Sequence, residues 1–328
     1  MNFAKTFLAL AVAGTFTGAA LLDANAQAPA PAAAKPAAAK PAAAKPAAKQ
    51  KTFASAQEAA AALAAAVRAE SVDDLLGVVG PDSKSWIFSG DGVADRADWK
   101  RFLEAYDQKN ALQATGDKSV LEVGNDAWPF PAPIVKGKDG KWAFDAKAGR
   151  EEILNRRVGR NELNVMQTLL AIVDAQREYA AADPDKNGFA DYARRFASTP
   201  GKKDGLYWQA TAGEPQSPLG PLAAEAAREG YAKAKGATKQ AYHGYYYGVL
   251  TSQGKNATGG AYNYDVGGKL LGGFGVVAYP ATYGVSGVMT FVVNHDGVVY
   301  EKDLGAQTTS VGAAMTRFDP DKTWRKAQ

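Results

Sequence analysis

From residue 52 onward, the spacing of apolar positions alternates between helical and strand-like stretches. Ser55-Ala-Gln-Glu58 has the order of a capping box, and Ala59, Leu63 and Val67 then recur on one helical face. Ser71-Val-Asp-Asp74 opens a second, shorter helix that Gly80-Pro81 should stop. Trp86-Ile87-Phe88 reads as a short strand. Trp99, Phe102, Leu103 and Tyr106 recur at i, i+3, i+4 and i+7, which predicts an amphipathic helix with its aromatic face packed into a core. Strand-like runs follow at 112–115, 119–123, 134–136 and 141–144, the last two joined by the turn Lys138-Asp139-Gly140.

A long helical pattern then runs from about Ala148 to Ala182. Leu163, Met166, Leu170 and Val173 make one apolar stripe, with Val165, Leu169 and Ile172 beside it. Arg160, Asn164, Gln167, Asp174 and Glu178 share the opposite side. Pro184 restricts Asp183 and ends the helix. Strands are expected at 242–251, 274–279, 288–294 and 298–302, the last pair forming a hairpin around His295-Asp296-Gly297. Together these elements predict an α+β protein of two domains. Residues 52–146 have the element order of a cone-like domain and look like the nuclear-transport-factor-2-like fold. Residues 147–328 read as a pilin-like long helix packed on an antiparallel sheet. Trp128-Pro-Phe-Pro-Ala-Pro133 is either a wall of aromatic surface for a pocket in the cone or a rigid crossover.

Composition changes the picture mainly at the amino terminus. Lys5, an apolar run from Thr6 to Leu22 and Ala24-Asn25-Ala26 have the order of a secretory signal peptide, with cleavage expected after residue 26. A retained anchor is the weaker alternative, because Gly14, Thr15, Thr17 and Gly18 interrupt a run already short of the roughly 20 apolar residues a span needs. No span is expected in the mature chain. Pro31-Ala-Ala-Ala-Lys35 repeats at 36–40 and 41–45 and shortens at 46–49, so residues 27–51 read as an extended linker.

The net charge is +4. Five lysines of 27–51 carry more than all of it and Asp23 cancels Lys5, so residues 52–328 are left at −1. The basicity therefore belongs to the linker, and nucleic-acid binding is not expected. With no cysteine, the chain has no disulfides and no thiol chemistry. These features predict a periplasmic or secreted bacterial protein.

Several ordered motifs carry a family resemblance. They are Asn155-Arg-Arg-Val-Gly-Arg-Asn-Glu-Leu163, Pro200-Gly-Lys-Lys-Asp-Gly-Leu-Tyr-Trp208, Ser217-Pro-Leu-Gly-Pro221, Tyr242-His-Gly-Tyr-Tyr246, Gly287-Val-Met-Thr-Phe291 and Tyr300-Glu-Lys-Asp-Leu-Gly305. Together they resemble the bacterial domain-of-unknown-function family 2950, over about residues 53–307. The resemblance implies an exported protein and brings no activity or catalytic residues with it.

Candidate chemistry is sparse. In Asp183-Pro-Asp-Lys-Asn-Gly-Phe-Ala-Asp191, the side chains of Asp183, Asp185, Asn187 and Asp191 and the carbonyl of Phe189 fall where a calcium loop places its ligands, with Gly188 at the bend. Arg194 stands where the loop's bidentate glutamate belongs. The other reading is a solvated turn that ends one helix and caps another over 190–196. Calcium is the one cofactor in view.

His243, in the aromatic stretch 242–247, is the best general-base candidate if any cleft is catalytic. Ser252-Gln-Gly-Lys255 matches the Ser-x-x-Lys pattern only superficially, and the glycines of 267–268 and 272–275 read as strand turns. No catalytic residue is assigned. The expected role is non-enzymatic binding or scaffolding, with an envelope protein or glycan as partner and Tyr245, Tyr247, Tyr262 and Tyr264 as a conceivable flat aromatic surface. The rival is a hydrolase or other small-molecule enzyme with a pocket in the first domain or near His243.

Overall fold

The computed structural model describes residues 49–211, 213–231 and 240–327. The segment expected to be a leader and nearly all of the repeat linker lie outside the described residues. Gln50 and Lys51 at the linker's end are already docked. The Gln50 amide donates to the carbonyls of Val79 and Phe144 at 2.9 and 2.8 Å, and the Lys51 backbone N–H donates to Gly77 O at 2.7 Å.

The first elements are helices α1 (Ala56–Arg68), α2 (Val72–Val79), α3 (Lys84–Ile87) and α4 (Gly92–Gln108). Ser55 caps α1 through the Glu58 N–H, and Asp91 caps α4 by accepting the N–H groups of Val93 and Ala94. The stretch expected as a strand at 86–88 is instead α3 followed by the extended Phe88. Its apolar run is too short for periodicity to separate strand from helix, and Pro81 starts a helical turn just upstream.

An antiparallel sheet follows. It contains β1 (Asn110–Thr115), β2 (Lys118–Val123), β3 (Trp128–Pro129), β4 (Ile134–Lys136) and β5 (Trp142–Phe144), in the order β1-β2-β4-β5 with β3 also paired to β2. Ser119, Leu121 and Val123 of β2 point inward, as period-two alternation requires. Leu121 and Val123 meet Leu63, Val67, Leu75 and Ile134 in one apolar cluster. Full burial of each large aliphatic side chain there contributes roughly 1.5–3 kcal/mol.

Helix α5 (Ala146–Ala182) starts at the Asp145 cap and passes from this cluster into a second one. Its buried stripe runs Arg157, Asn161, Val165, Leu169, Ile172, Gln176, Tyr179. The sequence expectation was wrong about part of this face: Leu163 and Leu170 are 57% and 45% exposed. Polar residues take the inward places because each has a tertiary partner. Asn161 donates to Ser286 O at 2.8 Å, and Gln176 exchanges two hydrogen bonds with the backbone of Ala193.

Helix α6 (Gly220–Arg228) precedes the remaining strands: β6 (Tyr245–Leu250), β7 (Ser252–Gln253), β8 (Tyr262–Asn263), β9 (Asp265–Val266), β10 (Lys269–Leu270), β11 (Gly275–Pro280), β12 (Met289–Asn294), β13 (Tyr300–Asp303), β14 (Arg317–Phe318) and β15 (Arg325–Lys326). Helix α7 (Thr308–Ala314) lies between β13 and β14. The main sheet is antiparallel in the order β15-β13-β12-β11-β6. Strand β11, between β12 and the edge strand β6, is buried on both faces. Val276 and Ala278 join α5 in the second cluster, whereas Val277 and Tyr279 join Leu250 and Phe318 in a third.

The long helix ends before Pro184 as expected, with Asp183 in the left-handed region (φ 42°), where its carboxylate accepts the N–H groups of Asn187 and Gly188, each at 3.0 Å. The expectation of a helix just beyond fails. Residues 190–196 are not helical. Their backbone groups bond across the fold, Tyr192 N–H to Leu270 O and Phe196 O to Tyr207 N–H, and so are not available for a helical turn. No helix among the described residues is long and apolar enough to cross a membrane.

Candidate ligand cleft

Helix α4 holds the clearest departure from core packing. Trp99, Phe102, Leu103 and Tyr106 keep their helical spacing, yet all four are only half-buried. Trp99 and Phe102 border a cleft of about 440 Å³, within the size range of small-molecule sites. Its floor is Leu63 and Val67 of α1, Leu75 and Val79 of α2, and Val123 of β2. Trp99 and Phe102 form one wall, and Phe130 and Pro131 of the proline-punctuated segment form another. Phe102 and Phe130 meet at 5.5 Å between centroids, and Phe130 meets Phe144 edge-on at 5.9 Å, so the aromatic wall is continuous with the core. Of the two readings of 128–133, the pocket wall is the one this geometry bears out.

The mouth is charged. Arg156, Arg157 and Arg160 of α5 line it together with Asp95, Asp98 and Arg101 of α4. Arg160 grips Asp98 with two hydrogen bonds, at 3.0 and 2.7 Å, and Arg101 bonds the same carboxylate. Arg156 pairs with Glu152 at 2.6 Å while its guanidinium lies 4.8 Å over the ring of Trp128, which is 41% exposed at the rim.

Arg157 differs from its neighbours. It is 8% exposed and donates to two main-chain carbonyls, Trp86 O at 2.7 Å and Ile87 O at 3.1 Å. Burial pulls its pKa down, against the fields of Asp95 and Asp98. Asp95, also buried, accepts the Ser89 N–H on both oxygens, and burial raises its pKa.

The acidic loop is closed on itself. The Asn187 side-chain nitrogen donates to Asp185 at 2.8 Å and to Asp191 at 2.9 Å, while its oxygen accepts the Phe189 N–H at 2.9 Å. That N–H can only donate, which fixes the amide's orientation. An NH₂ group thus occupies the space between two carboxylates where a cation would sit. The amide nitrogens of 187 and 188 hold the Asp183 carboxyl below its usual range, although partial desolvation opposes them. Arg194, at the place of the missing glutamate, pairs with Asp265. In this form the donor set does not fit calcium. Among the described residues, no group of three or more histidine, aspartate or glutamate side chains is placed to hold a metal ion.

His243 lies away from the cleft lining. It adopts φ 51°, with Nδ1 3.4 Å from the Asn164 amide and Nε2 3.8 Å from Glu229. Beside it, Asp91 accepts the Tyr231 hydroxyl at 2.7 Å and the Gly244 N–H at 3.1 Å. Burial lowers the His243 pKa below the usual imidazole value, against the fields of Glu229, Asp91 and Glu225. Ser252 sits in β7 and donates to Thr316 O at 3.5 Å, and Gly267 and Gly268 take positive φ in the β9–β10 turn. The proposed flat aromatic surface does not form. Tyr245 and Tyr264 are fully buried and Tyr247 is half-buried, because all three face the apolar cluster that covers α5's side of the sheet, and of the four only Tyr262 is exposed.

The model of a family described as Protein of unknown function (DUF2950) matches residues 50–327. The chain belongs to that family. No curated protein and no solved structure matches it. In this DUF2950 chain, several of the motif segments picked out in the sequence meet in space. Residues 155–163 send Arg156, Arg157 and Arg160 to the cleft, while Asn161 and Glu162 turn toward the main sheet. Glu162 accepts the N–H groups of Val288 and Met289, each at 2.9 Å. Sequence reasoning missed the cleft's charged residues. The available signal was arginine at i, i+1 and i+4 on a helix, opposite an α4 face richer in aromatics than a core of its size needs.

Proposed function

We propose that this DUF2950 chain is an exported envelope protein that binds a small, largely apolar molecule in the α4–α5 cleft without transforming it. The observation that carries the reading is the partly exposed aromatic lining, Trp99 and Phe102 of α4 facing Phe130 and Trp128 across the cleft. Leaving such surface open forgoes burial worth about 25 cal/mol per Å², which a ligand would recover. The leader order of Lys5, apolar run and Ala24-Asn25-Ala26 supports export. Helices laid against a short antiparallel sheet around a pocket support the cone-like, nuclear-transport-factor-2-like reading of the first half. Packing of α5 on an antiparallel sheet supports the pilin-like reading of the second.

The test is displacement of Nile red from the purified full chain by a series of n-alkyl compounds, with mass spectrometry of whatever small molecules copurify. Affinity should rise roughly fourfold per added methylene until the cleft is full, from about 0.8 kcal/mol per buried CH₂. Ile153→Trp, which places an indole in the cleft from α5, should abolish displacement while leaving the melting temperature near that of the parent. No Nile red binding, or binding that ignores chain length and survives Ile153→Trp, refutes the proposal.

A further inference from the structure

We infer that the molecule held in the cleft carries an oxyanion, a carboxylate or phosphate on an apolar body, and that the Arg157 guanidinium receives it. The inference rests on the cleft being a binding site. Around the mouth, Arg101 and Arg160 share Asp98, and Arg156 has Glu152. Arg157 is the most buried of the four, yet among the described residues it has no carboxylate within ion-pair distance. A buried cation is ordinarily paired, because desolvation without a counter-charge is costly. Its two bonds to Trp86 O and Ile87 O leave three of the five guanidinium N–H donors for other acceptors. Those carbonyls also fix the plane of the fork, so a planar carboxylate or a phosphate would meet a group already oriented for it.

Asp95, whose field favours the charged guanidinium, makes no ion pair with it and instead accepts the Ser89 N–H on both oxygens. Asp98 is engaged by two other arginines. The ionisable groups lining the cleft are four arginines and two aspartates, so the mouth is electropositive. The floor below it is aliphatic and aromatic, which places an apolar body inward and a charged head at Arg157.

The experiment compares dodecanoate, dodecyl phosphate, dodecanol and inorganic phosphate as displacers of Nile red from the full chain. At least one of the two anionic amphiphiles should bind roughly ten- to a hundredfold tighter than dodecanol, the range for a hydrogen bond to a charged group. Inorganic phosphate alone should not displace the probe. Preference for dodecanoate points to a free fatty-acid-like ligand, and preference for dodecyl phosphate to a lipid-like phosphate head.

Arg157→Gln should bring acid and alcohol to parity. Because that change also releases the Trp86 and Ile87 carbonyls and risks the fold, Asp98→Asn is the second variant. It frees Arg101 and Arg160 and should widen the preference for the anion over dodecanol. Equal displacement by dodecanol and the anions overturns the oxyanion inference and leaves the apolar cleft standing. A preference that Asp98→Asn leaves unchanged removes the assignment to this arginine cluster. Displacement by none of the amphiphiles overturns the cleft itself.

Discussion

Helix α5 contains two glycines at which the same substitution should have opposite effects. A methyl group on Gly149 would lie 2.6 Å from Cβ, 2.7 Å from Cα and 3.0 Å from N of Ala132. Ala132 is fully buried between Pro131 and Pro133, so the obstacle is constrained backbone rather than a side chain that can swing aside. Gly159 is exposed and a methyl there meets nothing within 4 Å. Overpacking costs about 1–3 kcal/mol, and replacing glycine in a helix interior returns about 0.5–1 kcal/mol. Gly149→Ala should therefore destabilise by about 1–2 kcal/mol net, while Gly159→Ala should stabilise by about 0.5–1 kcal/mol. For a chain of this size, thermal midpoints should move apart by roughly 3–12 °C, at about 2–4 °C per kcal/mol. Differential scanning calorimetry of both variants alongside the parent measures it. If Gly149→Ala raises the midpoint as Gly159→Ala does, the 131–133 crossing is not seated on α5, and the cleft loses the wall that Phe130 and Pro131 provide.

Two further outcomes are expected. His243 faces Glu229, Glu225, Asp91, Arg160 and Tyr231, and burial depresses its pKa, so its neutral form contributes stability above about pH 6.5 that is lost as the pH falls through the lowered folded value. His243→Asn, which tolerates the positive φ, should lose less thermal stability than the parent between about pH 7 and pH 5; parallel losses would show that His243 does not titrate in this way. In the acidic loop, millimolar calcium should leave the melting temperature unchanged, because the Asn187 amide already bridges Asp185 and Asp191. A rise of several degrees that Asp185→Ala abolishes would restore the calcium loop.

The loop illustrates the limit of reading oxygens by position. Residue types fixed the spacing of Asp183, Asp185, Asn187 and Asp191, but which end of an amide faces two carboxylates depends on the Phe189 N–H, a contact that composition does not specify. The α5 face is similar. Helical period was legible from Val165, Leu169 and Ile172, whereas the inward turn of Arg157, Asn161 and Gln176 required partners at Trp86, Ser286 and Ala193, distant in sequence.

Local pattern by itself determined α1, α2, α4 and α5, the longer strands β1, β2, β4, β5, β6, β11, β12 and β13 within a few residues, the hairpin turns, the confinement of the basic charge to the linker and the family. These depend on neighbours three or four residues apart along a helix or two apart along a strand, and so are written in the order of residues. Tertiary structure alone decided that the aromatic face of α4 borders a cleft instead of a filled core. It also decided that Arg157 would be buried there without a carboxylate and that the tyrosines of β6 would be covered on both sides. Whether a face is filled, open or charged depends on the volume and donors that remote segments bring to it, and apolar periodicity carries no record of that.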